Sequence, residues 1–276
     1  MTIIASLLRE SQLPDSPTAR LDVELLLAAA LGKNRSFLRT WPERIVEAEA
    51  AARFASYLER RRQGEPVAYI LGQQGFWSLD LEVAPHTLIP RPDTELLVEL
   101  ALRRLPQEQA QVLDLGTGTG AIALALGRER AGWQVMAVDR VAEAVALAER
   151  NRARLGLANV QVQKSHWFSA LQGQRFDLIL SNPPYIRSHD PHLSEGDVRF
   201  EPASALVSGV DGLDDIRHIV ARAPEYLNTG GWLLLEHGYD QAAQVRALLD
   251  AEGFEQVESC TDLGGHERVT LGRHPC

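Results

Sequence analysis

Asp114-Leu115-Gly116-Thr117-Gly118-Thr119-Gly120 joins an apolar run at residues 112–115 to an apolar helical pattern that begins at Gly120. Three alternate glycines let a backbone turn sharply between a strand and a helix and approach a ligand with no side chain in between. The stretch reads as a nucleoside-binding turn. A tight turn without a ligand remains the alternative, because several enzyme classes share this geometry. The next apolar run, residues 135–138, ends in Asp139, close to the spacing of about 20 residues at which an acid meets ribose hydroxyls. A carboxylate there can accept from both hydroxyls, or it can simply cap the following helix. The glycines follow Gly-x-Gly-x-Gly rather than Gly-x-Gly-x-x-Gly, so a pyrophosphate is the less favoured ligand.

Outward from this turn, strand and helix patterns alternate. Strands are expected at 112–115, 135–138, 160–163, 176–180 and 232–235, with helices from 120, over 141–155 and over 214–226. Such alternation predicts an α/β fold with a doubly wound sheet. A helix at 241–252 and strands at 254–258 and 267–271 close the chain. Upstream, residues 1–72 read as a helical domain. One helix starts at Ser16-Pro17 and stops at Gly32, a second spans 42–63, and a short third spans 66–71. Trp77, Leu79, Leu81 and Val83 alternate with period two, which predicts a strand or hairpin in a connector at 73–90. Asp93, following Pro90 and Pro92, is placed to cap a helix running to Arg104, and the second domain spans 91–276.

The 276 residues are 45% hydrophobic and 24% charged, which excludes a disordered chain and a small disulfide-stapled scaffold. No apolar run approaches the length of a membrane span, the best being residues 25–31. Without a basic leader or long apolar segment at the start, the chain is expected to be soluble and cytoplasmic. Cys260 and Cys276 read as free thiols, and no metal site is expected. His189 and His192 lie in a polar loop with no third ligand at useful spacing, and read as solvated surface. Trp41 and Trp77 read as packing residues. The net charge of −9 disfavours a grip on long nucleic acid and suits a basic protein partner.

Asn182-Pro183-Pro184-Tyr185 follows the apolar run 176–180, at the carboxyl edge where doubly wound sheets bind ligands. A planar amide or aromatic amine offers two N–H donors, and the Asn182 side-chain oxygen with the Pro183 carbonyl offers two acceptors. Both prolines have fixed φ and no N–H, so the turn is stiff and its acceptors meet no competing donor. Tyr185 can lay a flat face against a planar group.

On these residues the chain resembles the class I S-adenosylmethionine-dependent methyltransferases that act on planar nitrogens. Phe76-Trp77-Ser78-Leu79, Leu88-Ile89-Pro90-Arg91-Pro92-Asp93-Thr94-Glu95 and Arg199-Phe200-Glu201-Pro202 narrow the likeness to the release factor glutamine methyltransferases of the HemK/PrmC type. The resemblance implies a seven-stranded Rossmann-like domain behind an N-terminal helical bundle that helps to recognise a protein substrate. It also implies transfer of a methyl group from S-adenosylmethionine to the glutamine amide of the Gly-Gly-Gln motif in peptide chain release factors, leaving S-adenosylhomocysteine. By position, Gly116, Thr117, Gly118, Thr119 and Gly120 line the cofactor, Asp139 holds its ribose and Trp167 lies beside its adenine. Asn182, Pro183, Pro184 and Tyr185 hold the glutamine, Asn182 also touching the cofactor, with Asn182, Pro183 and Tyr185 as the catalytic set. His166 stands where family members often carry Asp, an acceptor for the adenine amino group. Arg91 and Glu201 are expected to shape the site or to form a structural salt bridge. A monomer is expected, without a membrane or direct nucleic-acid partner. A glutamine methyltransferase acting on a large-subunit ribosomal protein, an adenine-amino methyltransferase and a non-catalytic binding module stay open as rivals.

Overall fold

Residues 2–276 are described by the computed structural model. One unit comprises the chain up to Gln73 together with Ser194–Phe200, and the other comprises Gln74–Leu193 with Glu201–Cys276.

The first unit contains α1 (Ile4–Glu10), α2 (Ala19–Ala30), α3 (Arg35–Thr40), α4 (Ala48–Arg62) and α5 (Val67–Leu71). Their apolar faces meet in a core of Ile4, Leu26, Leu27, Leu38, Phe54, Leu58 and Ile70. Several sequence expectations are corrected here. The helix expected over 42–63 begins only at Ala48, and α1 and α3 were not expected, being too short to show a period. The helix expected to start at Ser16-Pro17 begins only at Ala19, and the Ser16 and Thr18 hydroxyls before it both donate to Asp22, each at 2.8 Å. Trp41 is 48% exposed and does not serve as a core residue.

This unit also buries charge. The Arg61 guanidinium donates from Nε to Asp22 at 2.7 Å, from Nη1 to Asp197 at 2.7 Å, and from Nη1 to the Glu65 carbonyl at 3.1 Å. Asp197 belongs to Ser194–Phe200, so this ion pair helps to hold that segment in the helical unit. Glu24, also buried, is ringed by Arg35 at 2.6 Å and Arg39 at 3.1 Å.

A hairpin of β1 (Gln73–Phe76) and β2 (Leu79–Glu82), turned at Trp77, whose φ is +56°, belongs from Gln74 onward to the second unit. Phe76, Leu79 and Leu81 are buried in one core with Leu97 and Leu100, so the expected connector is part of this unit rather than a separate piece. A short turn at Pro92–Thr94 leads into α6 (Glu95–Arg104). Asp93 makes no cap there, a correction. The following Glu95 carboxylate instead accepts from the Trp77 backbone N–H at 2.7 Å.

The remaining elements are β3 (Ala110–Leu115), α7 (Ala121–Glu129), β4 (Trp133–Asp139), α8 (Ala142–Leu155), β5 (Val160–Lys164), β6 (Phe176–Ser181), α9 (Asp214–Arg222), β7 (Leu227–Glu236), α10 (Ala242–Ala251), β8 (Glu255–Thr261) and β9 (Glu267–Arg273). Among the described residues they form a seven-stranded sheet in the order β5-β4-β3-β6-β7-β9-β8. The first five strands are parallel, and β9 runs antiparallel to both β7 and β8. Strand side chains alternate between faces. Val112, Leu178 and Leu234 pack with α6 and α7, while Leu113, Ile179 and Leu233 pack with α9 and α10. Burial on both faces explains why these strands read as unbroken apolar runs. β7 starts before the expected residue 232 because Asn228, Thr229, Gly230 and Gly231 carry no apolar signal, and α9 stops before Pro224.

Removing one partner of a buried, hydrogen-bonded ion pair typically costs about 3–5 kcal/mol. Arg61→Ala is therefore expected to destabilise the helical unit by about 3 kcal/mol in urea denaturation. It is also expected to expose Ser194–Phe200 to limited proteolysis.

Candidate active site

β3 and β6 lie side by side at the centre of the sheet, with Leu115 opposite Ser181, and the Ser181 hydroxyl donates to the Leu115 carbonyl at 2.7 Å. Strand order reverses between them: β4 and β5 continue to one side of β3, β7 to the far side of β6. Such a switch point opens a crevice at the carboxyl ends of the strands. Both sequence motifs emerge into it, the glycine turn from β3 and Asn182–Tyr185 from β6.

The turn is pinned to β4, since Gly116 N–H and Thr117 N–H both donate to the Val138 carbonyl at 2.9 Å. Asp139 accepts from Gly118 N–H and from Val141 N–H, each at 2.9 Å. The two readings of Asp139 are thus compatible: it steadies the start of α8 and grips the glycine turn, and each oxygen keeps a lone pair for a ligand. Gly116, Gly118 and Gly120 have φ of +73°, +54° and +86°, a region that side chains disfavour.

Asp114, wholly buried behind the turn, accepts from the Thr117 hydroxyl at 2.6 Å and from Ala123 N–H at 3.3 Å, and its Oδ1 has no protein partner. Burial pushes its carboxyl up to about 7, against these two hydrogen bonds and with a small push from the Asp139 charge.

The crevice holds about 920 Å³ of space, part of it open to solvent. Of the residues singled out from the sequence, Gly116, Thr117, Gly118, Thr119, Asp139, His166, Trp167, Asn182, Pro184 and Arg91 line its wall. Gly120, Pro183 and Tyr185 are not among the lining residues. A Cβ on Gly120 would stand 2.8 Å from Leu124 Cδ1, so this glycine serves close packing of the helix. Pro183 is buried. Tyr185 is held from behind: its hydroxyl donates to Glu236 Oε1 at 3.4 Å, and its carbonyl accepts from Gln241 Nε2 at 3.0 Å. Gly212, at φ +80°, lies so close that a Cβ would collide with that carbonyl.

Asn182 Nδ2 donates to the Thr94 hydroxyl oxygen at 3.0 Å, leaving Oδ1 to accept from a ligand. Arg91 Nη2 donates to both oxygens of Glu201, at 2.9 and 2.8 Å, and Glu201 also accepts from Ile89 N–H at 3.3 Å. This pair fastens the 89–91 loop, and Arg91 is on the cavity wall as well, so the residue is both structural and site-shaping. Thr94 and Glu236 were missed as site residues. Glu236 did leave a signal, a lone acid ending the apolar run 232–235 at the carboxyl edge. Thr94 left none.

Residues 4–72 match the PrmC N-terminal domain and residues 93–204 match the Methyltransferase small domain. The chain is 72% identical over 276 residues to the release factor glutamine methyltransferase of Pseudomonas aeruginosa, covering 100% of both chains. This chain belongs to the release factor glutamine methyltransferase family. Identity to the Salmonella typhimurium member of that family is 55%, covering 95% of each chain. A methyltransferase crystal structure from Pyrococcus furiosus shares the fold with a TM-score of 0.57 at 18% identity, covering 80% of this chain and 100% of that one.

A carboxyl whose native value lies above its unfolded value is ionised first in the unfolded state, so its cost to the native state grows as pH rises through that interval. For Asp114 the interval runs from 3.8 to about 7. Asp114→Asn removes this cost while keeping an acceptor for Thr117. Relative to the parent, its thermal stability without cofactor is expected to improve from pH 4 to pH 8 by an amount on the order of 4 kcal/mol, read by calorimetry.

Proposed function

We propose that this protein transfers the methyl group of S-adenosylmethionine to the side-chain amide nitrogen of the glutamine in the Gly-Gly-Gln motif of peptide chain release factors, as a cytoplasmic monomer. The observation that carries this reading is the Asn182 carboxamide on the cavity wall, tied by its nitrogen to Thr94 with its oxygen left to accept. The substrate follows from the 72% identity over the full chain, which favours a release factor over a ribosomal protein. The N-terminal helical unit is the part assigned to receiving that protein.

The cavity suits an adenosyl group bearing an amino-acid tail. Gly116 and Gly118 keep Cβ atoms out of the wall, Asp139 can accept from two ribose hydroxyls, and Trp167 offers an aromatic surface. Oδ1 of Asp114 is a buried acceptor behind this wall with no protein partner. When bound, S-adenosylmethionine supplies an electrophilic methyl carbon on its sulfonium.

An amide nitrogen is a poor nucleophile because its lone pair is drawn into C–N resonance. The work of this chain is therefore orientation and electrostatic preorganisation. Asn182 Oδ1 and the Pro183 carbonyl accept the two amide hydrogens and aim the nitrogen, and they stabilise the positive charge that grows on the N–H groups during transfer. Pro184 adds stiffness, and Tyr185, anchored to Glu236 and Gln241, fixes the far end of the turn. No side chain serves as a base, since the methylated amide is acidic enough to lose its proton to water.

Incubation with methyl-labelled cofactor and a purified release factor is expected to place the label on the Gly-Gly-Gln glutamine, located by peptide mass spectrometry, and to place none on a Gln→Ala release factor. Transfer to other sites only would overturn the reading. Asn182→Ala is expected to lower kcat by roughly 100-fold with little change in cofactor affinity. Asp139→Ala should raise the cofactor Kd at least about tenfold, as measured by isothermal titration.

A further inference from the structure

Strand order divides the carboxyl edge of the sheet into two sectors. β3 and β4 lie on one side of β6 and send out the glycine turn and Asp139, while β7, β9 and β8 lie on the other side. β9 runs antiparallel to both β7 and β8, so the turn joining β8 to β9 surfaces at the same edge as the loop that follows β7. The first sector is assigned to the cofactor, and the proline turn on β6 stands between the two. A glutamine that arrives inside a protein brings polypeptide with it, and the second sector is where that polypeptide has room to lie.

The loops of the second sector are tied to the site. The segment that gives Ser204 and Ala205 to the cavity wall runs on beside the proline turn, with Ile186 N–H donating to the Leu206 carbonyl at 2.8 Å and Ser188 N–H to the Gly209 carbonyl at 2.9 Å. Arg187, two residues past Tyr185, pairs at 2.6 Å with Asp240 in the loop after β7. Beside Asp240 is Tyr239, 64% exposed, its ring 5.9 Å from the Arg268 guanidinium and 6.0 Å from the His266 ring. Arg268 stands 3.8 Å from Asp93, the neighbour of Thr94, which accepts from Asn182.

Among the described residues of the second unit, the large apolar side chains left exposed are all in this sector. They are Tyr239, Val210 at 80% in the turn before α9, and Leu263, fully exposed, in the turn between β8 and β9. The Val210 turn adjoins the Tyr239 loop, since the Asp211 carbonyl accepts from Gln241 Nε2 at 3.4 Å. Scattered single apolar residues are ordinary on a surface, whereas several on adjoining loops beside a site mark an interaction surface. Arg187, Arg217 and Arg268 are already neutralised by Asp240, Asp211 and Asp262, which leaves a phosphate backbone little to bind. A polypeptide is the occupant that suits such a face.

We propose that the loops after β7, before α9 and between β8 and β9, with Tyr239, Val210 and Leu263 as the contacts, form the docking surface for the stretch of protein substrate adjoining the methylated glutamine. This rests on the reading of Asn182–Tyr185 as the glutamine site. Tyr239 offers a large flat contact with little side-chain entropy to lose, the type of residue that carries most binding energy in interfaces. The two glycines of Gly-Gly-Gln bring no side chains, so a ring that packs flat on backbone is the chemistry they can use.

The test is methyl transfer to a whole release factor by the parent, Tyr239→Phe, Tyr239→Asp and Leu263→Asp, with cofactor Kd from calorimetry. Tyr239→Asp is expected to raise KM for the release factor roughly 10-fold and Leu263→Asp about threefold, with kcat and cofactor Kd within about twofold of the parent. Tyr239→Phe is expected to match the parent. A photoreactive benzoylphenylalanine at position 239, with S-adenosylhomocysteine bound, is expected to cross-link to the release-factor peptide that contains Gly-Gly-Gln or to the one next to it. An unchanged KM in both aspartate variants overturns the proposal, as does a cross-link confined to distant parts of the release factor. Single-stranded RNA binding that Tyr239→Asp abolishes, with KM unchanged, overturns it in favour of a nucleic-acid surface. If Tyr239→Asp also loses cofactor, Leu263→Asp and the cross-link decide. A parent that methylates no glutamine overturns the underlying reading and this proposal with it, whereas glutamine methylation with KM unchanged overturns the proposal alone.

Discussion

The parallel pairing of β3 with β6 is the constraint on which the site depends. Leu115 and Ser181 end their strands at the same level, and the Ser181 hydroxyl closes the gap by donating to the Leu115 carbonyl. Two turns of different chemistry, one of glycines and one of prolines, therefore leave the sheet at the same point. The glycine turn is steered sideways by the Val138 carbonyl and the Asp139 carboxylate, so β4 joins the same edge. Three neighbouring strands thus supply the acid, the open backbone wall and the amide acceptor, and the rigidity of a sheet buried on both faces is passed on to them.

The protein treats buried carboxylates in two ways. Asp22, Glu24 and Glu201 are matched by arginines, and each joins parts of the chain distant in sequence. Asp114 and Glu236 are left with one unpartnered oxygen each and with burial as the largest influence on their ionisation. Buried polar groups without partners are uncommon in folded proteins and cost stability. Their positions, behind the glycine turn and behind the proline turn, mark where this fold gives up stability next to its cavity.

Much of this was legible in the sequence because the signals were local. Residues 112–124 hold an apolar strand, the turn and an apolar helix in unbroken succession, and Asn182–Tyr185 announces its acceptors by residue type alone. The sheet followed from alternation of elements, since parallel strands buried on both faces have few polar positions to blur them. What stayed hidden depended on contacts between distant residues. α1 and α3 are only 7 and 6 residues long, held by packing rather than by periodicity. Thr94 is 88 positions from Asn182, and nothing near it in sequence reports that hydrogen bond. Which side chains of the two motifs line the cavity depends on side-chain directions, which spacing along a motif does not encode.

Ser194–Phe200 belongs with the helices, although the residues on either side of it belong with the sheet. The polypeptide consequently crosses from one unit to the other three times, at 73/74, 193/194 and 200/201, and the helical unit is discontinuous. A chain severed after Gln73 would part Arg61 from Asp197 and lose a piece of its own first unit. Exchange of helical units between relatives, whether by recombination or at the bench, must therefore carry seven residues from the far side of the proline turn. Inheritance of the two units is tied together by topology, whatever the affinity of their surfaces.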